Sequence, residues 1–215
     1  MNVTAPQLPG QLEEGIALEE ALSMAGADDA PLEAFAFHGG SAAGAQLEKA
    51  ELFASRFAHC RFTGAALHKS DVRDCVFENC DLAGARFLEG TLRRCVFRGC
   101  KLAGANFGGA SLEDVRFENC AGGGAVFSEA VLKNVAFDGC RLEDAWFADV
   151  RARGPYRFTG CTLRRADFLR TPLAGQDLST CDIEGLAVAG PELKGAKVSA
   201  LQACELARLL GVTIV

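Results

Sequence analysis

Seven cysteines recur at intervals of twenty or twenty-one residues: Cys60, Cys80, Cys100, Cys120, Cys140, Cys161 and Cys181. Thiols at fixed spacing invite disulfide bonding, metal binding or nucleophilic attack. Structural zinc asks for four ligands, usually from paired C-x-x-C units, and the chain has no such pair. The only histidines are His38, His59 and His68, and none sits in a nucleophile-elbow context with a serine or cysteine. Gly122-Gly123-Gly124 lacks the Lys-Ser/Thr and the helix start of a phosphate loop. Carboxylates are plentiful, but nothing in their spacing suggests a cleft. The expectation is therefore no catalytic, cofactor-binding or metal-binding residue, no cofactor, and no enzyme.

What fixes the cysteine spacing is a period of five nested in twenty. Phe57, Phe77, Phe97, Phe117 and Phe137 fall twenty apart, with large apolar residues every five between them, as in Phe77, Leu82, Phe87, Leu92, Phe97. Two positions before each comes a small residue: Cys75, Cys80, Ala85, Gly90, then Cys95, Cys100, Ala105, Ala110. Neither the 3.6 period of a helix nor strand alternation fits this pattern. One small and one large inward position per five residues describes a solenoid with four short sides per turn, its turns stacked in register about 4.8 Å apart. The ladders Phe57 to Phe137 and Cys60 to Cys140 form its core. Stacked cysteines have parallel Cβ directions, poor geometry for disulfides, so the thiols are expected to be reduced, small, buried residues.

The regular pattern covers residues 35–198. At Arg151 to Tyr156 the spacing lengthens by one, which predicts a bulge beside Gly154-Pro155; a kink and a binding feature both remain open there. Residues 1–34 lie outside the repeat. With residues up to 48 they hold eight acids and no Lys or Arg, leaving 20 acids against 22 bases, a net of +2, for residues 49–215 of a chain whose overall net charge is −6. A helix over Leu12 to Ala25 would cap the first turn, and an acidic recognition arm is the alternative. After Val198 the period ends. Ser199 and Gln202 form a capping box, Ala200 to Leu210 favour helix and Gly211 stops it, with a β-prone tail over 212–215. This 199–215 module either caps the last turn, joins a second copy, or does both. Its apolar residues Leu201, Leu206, Leu209, Leu210, Val212 and Ile214 are the expected dimerisation set. Outward candidates for partner binding are Asp71, Asp74, Glu113, Asp114, Trp146 and Pro155. No apolar run approaches the roughly 20 residues of a membrane span, and Met1 to Thr4 lacks a basic start, so a cytoplasmic location is expected.

With these residues in hand, the chain resembles the pentapeptide-repeat proteins, a family with an A-(D/N)-L-x-x pattern. That resemblance implies an all-β fold, a right-handed quadrilateral β-helix, here of about eight turns, with a short C-terminal α-helix and an N-terminal helical cap. The run from Asp177 to Leu186, then Glu192 to Val198, Gln202, Leu206 and Leu209 to Val212 is similar to the C-terminal region of Qnr-type and mycobacterial quinolone-resistance proteins. This resemblance implies a C-terminal homodimer that mimics DNA, binds DNA gyrase or topoisomerase IV without touching nucleic acid or membrane, and protects the enzyme from quinolones. The chain lacks the projecting loops of the plasmid-borne Qnr proteins. A protein-interaction rod with an unrelated cytoplasmic partner is the alternative.

Overall fold

A computed structural model describes residues 2–28, 30–209 and 211–213. Helix α1 (Leu18–Asp28) is followed by the strands β1 (Leu32–Glu33), β2 (Ala36–His38), β3 (Glu51–Phe53), β4 (Arg56–Ala58), β5 (Asp71–Arg73) and β6 (Val76–Glu78). Then come β7 (Thr91–Arg98), β8 (Ser111–Glu118), β9 (Val131–Asp138), β10 (Arg151–Ala152) and β11 (Tyr156–Thr159), a 3₁₀ turn at Pro191–Leu193, and α2 (Ala200–Leu209). Every strand pair is parallel and displaced by one turn of chain: Leu52 pairs with Val72, Val72 with Leu92, and Phe77 with Phe97. This is a β-solenoid.

The period of five follows from the corners. Phe62 O accepts from Ala65 N at 3.0 Å, and between them Gly64 has φ +66°. A tight turn with positive φ at its third residue favours Gly, Asn or Asp there, and closing it at this spacing leaves Ala65 and Leu67 inward. Phe97 stacks on Phe77 at 4.8 Å and on Phe117 at 5.0 Å, while Phe107 meets it edge-on at 6.2 Å. Two face-stacked phenylalanine columns thus meet edge to face, the favoured aromatic geometries. The large inward position at residue 122 is a glycine, and Leu142 fills the gap: a Cβ on Gly122 would lie 2.9 Å from Leu142 Cδ2.

Strand pairing spans six turns, Leu32 to Ala152, rather than the eight expected, because beyond β11 the coil continues only through isolated bridges such as Asp167 to Ala187 and Asp177 to Lys197. The predicted bulge is present. Ala152 pairs with Leu132 but Tyr156 with Val135, so one extra residue enters, and Tyr156 turns inward to donate its hydroxyl to Pro172 O at 2.8 Å.

At the N-terminal end α1 starts at Leu18, not Leu12, because the backbone at Glu13 is already bonded to the sheet edge, donating to Ala34 O and accepting from Ala36 N. Leu18, Ala21 and Leu22 are buried against the first coil. Gly40, at φ +90°, lets the helix approach: a Cβ there would lie 2.9 Å from Leu18 Cβ. At the other end Val212 and Thr213 form no strand, and Ile214 and Leu210 lie outside the described residues.

Candidate interaction surfaces

The cysteine ladder is enclosed. Nine thiols are free and buried, and only Cys204 is exposed. The Sγ atoms of Cys80, Cys100, Cys120 and Cys140 donate to the carbonyls of Phe57, Phe77, Phe97 and Phe117 at 3.2–3.4 Å. Ser70 does the same to Leu47 O at 2.8 Å. The thiols are thus weak donors to buried backbone acceptors as well as small side chains. Burial pushes Cys95 up to about 12, far from a reactive thiolate. Among the described residues no group of three or more His, Cys, Asp or Glu is placed to hold a metal ion.

The outward side chains of the strand-rich walls are tied together by charge. Arg98 bridges Glu78 at 2.9 Å and Glu118 at 2.7 Å, one turn to either side. Glu113 accepts from Lys133 at 2.6 Å and Arg93 at 3.0 Å. Asp71 is held by Arg73 within its own strand. Stacking brings residues twenty apart side by side, so opposite charges twenty apart become neighbours. Each such exposed pair contributes only about 0–1 kcal/mol, but together they leave the acids neutralised in place. Duplex DNA, by contrast, carries about one negative charge per 1.7 Å of axis, with no fixed cation beside it.

Asp74 and Asp114 have a further partner. Both sit at corners at positive φ, on either side of Arg94, a conformation Asp tolerates better than most residues. Arg94 Nε donates to Asp74 Oδ1 at 2.7 Å. Gln7 N donates to the same oxygen at 2.8 Å, and Thr4 N to Asp114 Oδ1 at 2.9 Å. Residues 3–8 therefore lie along the outside of the solenoid. Burial works to raise the Asp74 pKa, yet Arg94 and the Gln7 amide outweigh it and hold the carboxyl below its usual value. In the column that carries Arg56 and Arg116, the apolar residues larger than alanine are Val76 and Val96, and they lie under this arm. Two outward valines on successive turns were the available sequence signal for a covering segment.

Trp146 stands half exposed on another wall, with Leu88 and Leu169 partly covered on that wall, and Pro155 is exposed at the bulge. The structure thus does not bring Trp146 together with the acids of the ion-paired walls; Pro155 lies beside β9, its carbonyl accepting from Val135 N at 3.3 Å.

The C-terminal module divides into an inner and an outer face. Ser199 N donates to Gln202 Oε1 at 2.8 Å, completing the capping box, and Gln202 Nε2 donates to Leu178 O at 2.9 Å and Cys181 O at 2.7 Å. The amide anchors the helix and satisfies two carbonyls of the last coil. Leu206 is buried beside it, which removes it from the dimerisation set: the solenoid end has already used it. Leu201, Leu209 and Val212 are 73%, 51% and 52% exposed. No described helix is long and apolar enough to cross a membrane.

Residues 70–147 match the family described as a pentapeptide repeat region, and this part of the chain is a pentapeptide-repeat β-solenoid. A trypsin-treated variant of QnrB1, a plasmid-mediated fluoroquinolone resistance protein, is 25% identical over 85% of this chain and 89% of its own, with TM-score 0.42. HetL, a pentapeptide repeat protein involved in heterocyst differentiation regulation from the cyanobacterium Nostoc sp. Strain PCC 7120, is 18% identical over 85% and 95%, with TM-score 0.40. Full-length QnrB1 is 18% identical over 82% and 100%, with TM-score 0.39. No curated protein matches the chain.

Proposed function

We propose that this chain acts by binding rather than by catalysis: a cytoplasmic rod that pairs with a second copy through its C-terminal module and docks on DNA gyrase or topoisomerase IV, modulating the enzyme or protecting it from quinolone-type inhibitors. The observation that carries the proposal is the apolar outer face of the solenoid end, Leu201, Leu209 and Val212, left over after Gln202 and Leu206 have closed the last coil. An exposed apolar patch at a rod end favours association, and the usual symmetry of such a contact is isologous. Two copies joined there present two equivalent flanks to a two-fold symmetric enzyme, and bivalent docking multiplies weak contacts. The partner is named by the resemblance of this terminal sequence to quinolone-resistance proteins.

The ion-paired flanks favour a second reading, a rod for an unrelated cytoplasmic partner, since the acids available to imitate DNA are mostly compensated. Gyrase supercoiling, followed while the purified protein is titrated with and without ciprofloxacin, separates the two. The first reading expects supercoiling altered by the protein alone or restored in the presence of drug. Supercoiling unchanged in both series would leave the unrelated partner.

A further inference from the structure

We propose that the groove under residues 3–8 is a docking site for an extended, uncharged peptide segment of a partner protein, and that the chain's own N-terminal arm is its exchangeable resident. The geometry specifies the ligand. Asp74 and Asp114 are forty residues and hence two turns apart, about 10 Å along the axis. Thr4 and Gln7, three residues apart in extended chain, span about the same distance, and each donates its backbone N–H to one of the two carboxylates. The floor between them is apolar, Val76 and Val96, and receives Val3, which is buried. Arg56, Arg98 and Arg116 flank the floor together with Glu78 and Glu118, already paired with one another, so a charged side chain of either sign has to displace an existing partner. The site thus reads two backbone donors at a fixed spacing above an apolar strip, which any extended segment of that form supplies.

Two observations indicate exchange. The arm leaves room beside it: a hollow of about 410 Å³, open to solvent, is lined by the arm and the wall together. Arg56 Nε, in the lining, is buried with no hydrogen-bond partner among the described residues, a donor the arm does not use. The arm's hold rests on two exposed hydrogen bonds and one buried side chain, and its advantage over a free peptide is its tether at Glu13, whose backbone is fixed to the sheet edge. A short tether gives an effective concentration in the millimolar range. A partner segment that also fills the hollow competes against that figure.

The test uses the full chain labelled with a fluorophore at its N-terminal amine, titrated with a synthetic peptide of residues 2–9. Seated, the label tumbles with the protein, and displaced it moves freely. The expected result is a saturable fall in anisotropy, half complete near the millimolar effective concentration, ending at the value of a Thr4→Pro/Gln7→Pro variant of the chain, which lacks both donors but leaves the solenoid untouched. A peptide carrying the same two prolines must have no effect. An anisotropy that does not respond to the native peptide would show a fixed strap. A starting anisotropy equal to that of the double-proline variant would show an unseated arm. Either result overturns the proposal. The assay contains no topoisomerase, so its outcome is independent of the partner named above.

Discussion

Phe97 touches phenylalanines above, below and beside it and is fully buried. Its replacement by alanine opens a cavity that stacked neighbours cannot close without leaving register. Phe97→Ala should cost about 3–5 kcal/mol, read from urea unfolding midpoints, and a loss below about 1 kcal/mol would contradict the packing. The thiols give a second expectation. Native protein should be alkylated quickly only at Cys204, and all ten cysteines should react once the chain is unfolded under non-reducing conditions; a pair lost to a disulfide would argue against the parallel ladder. Acid should act through the carboxylates. The folded pKa is lowered at Asp74, where burial is outweighed by Arg94 and Gln7, at Glu113 by Lys133 and Arg93, and at Asp182 by Arg164. Groups with depressed folded pKa stabilise the fold above their unfolded values, about 4, and that contribution is lost as pH falls through the folded values. Thermal midpoints should therefore be flat from pH 7 to about 5 and fall below about 4; a midpoint rising on acidification would reverse the sign.

The two terminal elements differ in how far sequence could disclose them. Helix α2 was legible because its signals are side chains: Ser199 and Gln202 at capping-box spacing, and Gly211 at φ +78° past its end. That Gln202 also holds Leu178 and Cys181 was not legible, since the acceptors are carbonyls that every residue owns. Gln202→Ala removes the box and strands both acceptors, so it should cost about 1–3 kcal/mol, measured by chemical denaturation; an unchanged midpoint would mean that water replaces the amide. The N-terminal arm was hidden for the same reason, its contacts being the backbone N–H groups of Thr4 and Gln7. Helix α1 starts six residues later than the helix expected from Leu12, because the competing edge pairing at Glu13 is a backbone event that side-chain spacing does not disclose. The solenoid body, by contrast, is specified by repeated side-chain types, and one inserted residue near Pro155 was enough to reveal the bulge.

At the scale of the molecule, the coil from Leu32 to Lys197 stacks at about 4.8 Å per turn, and each flank carries ion pairs between turns. One end is covered by α1. The other shows Leu201, Leu209 and Val212 to solvent. End-to-end pairing there would give a rod approaching 80 Å, two stacks of about eight turns, and would make docking bivalent. Because Leu201 and Leu209 lie outside the Gln202 and Leu206 contacts, Leu201→Glu/Leu209→Glu should leave the fold intact while separating the copies. The measurement that bears most directly on the account is the light-scattering mass of the intact protein at micromolar concentration, with this double variant alongside. With end-to-end pairing, the native protein weighs twice the 22.7 kDa chain mass and the variant the single-chain mass. A native protein of 22.7 kDa would contradict it, and the bivalent mechanism with it.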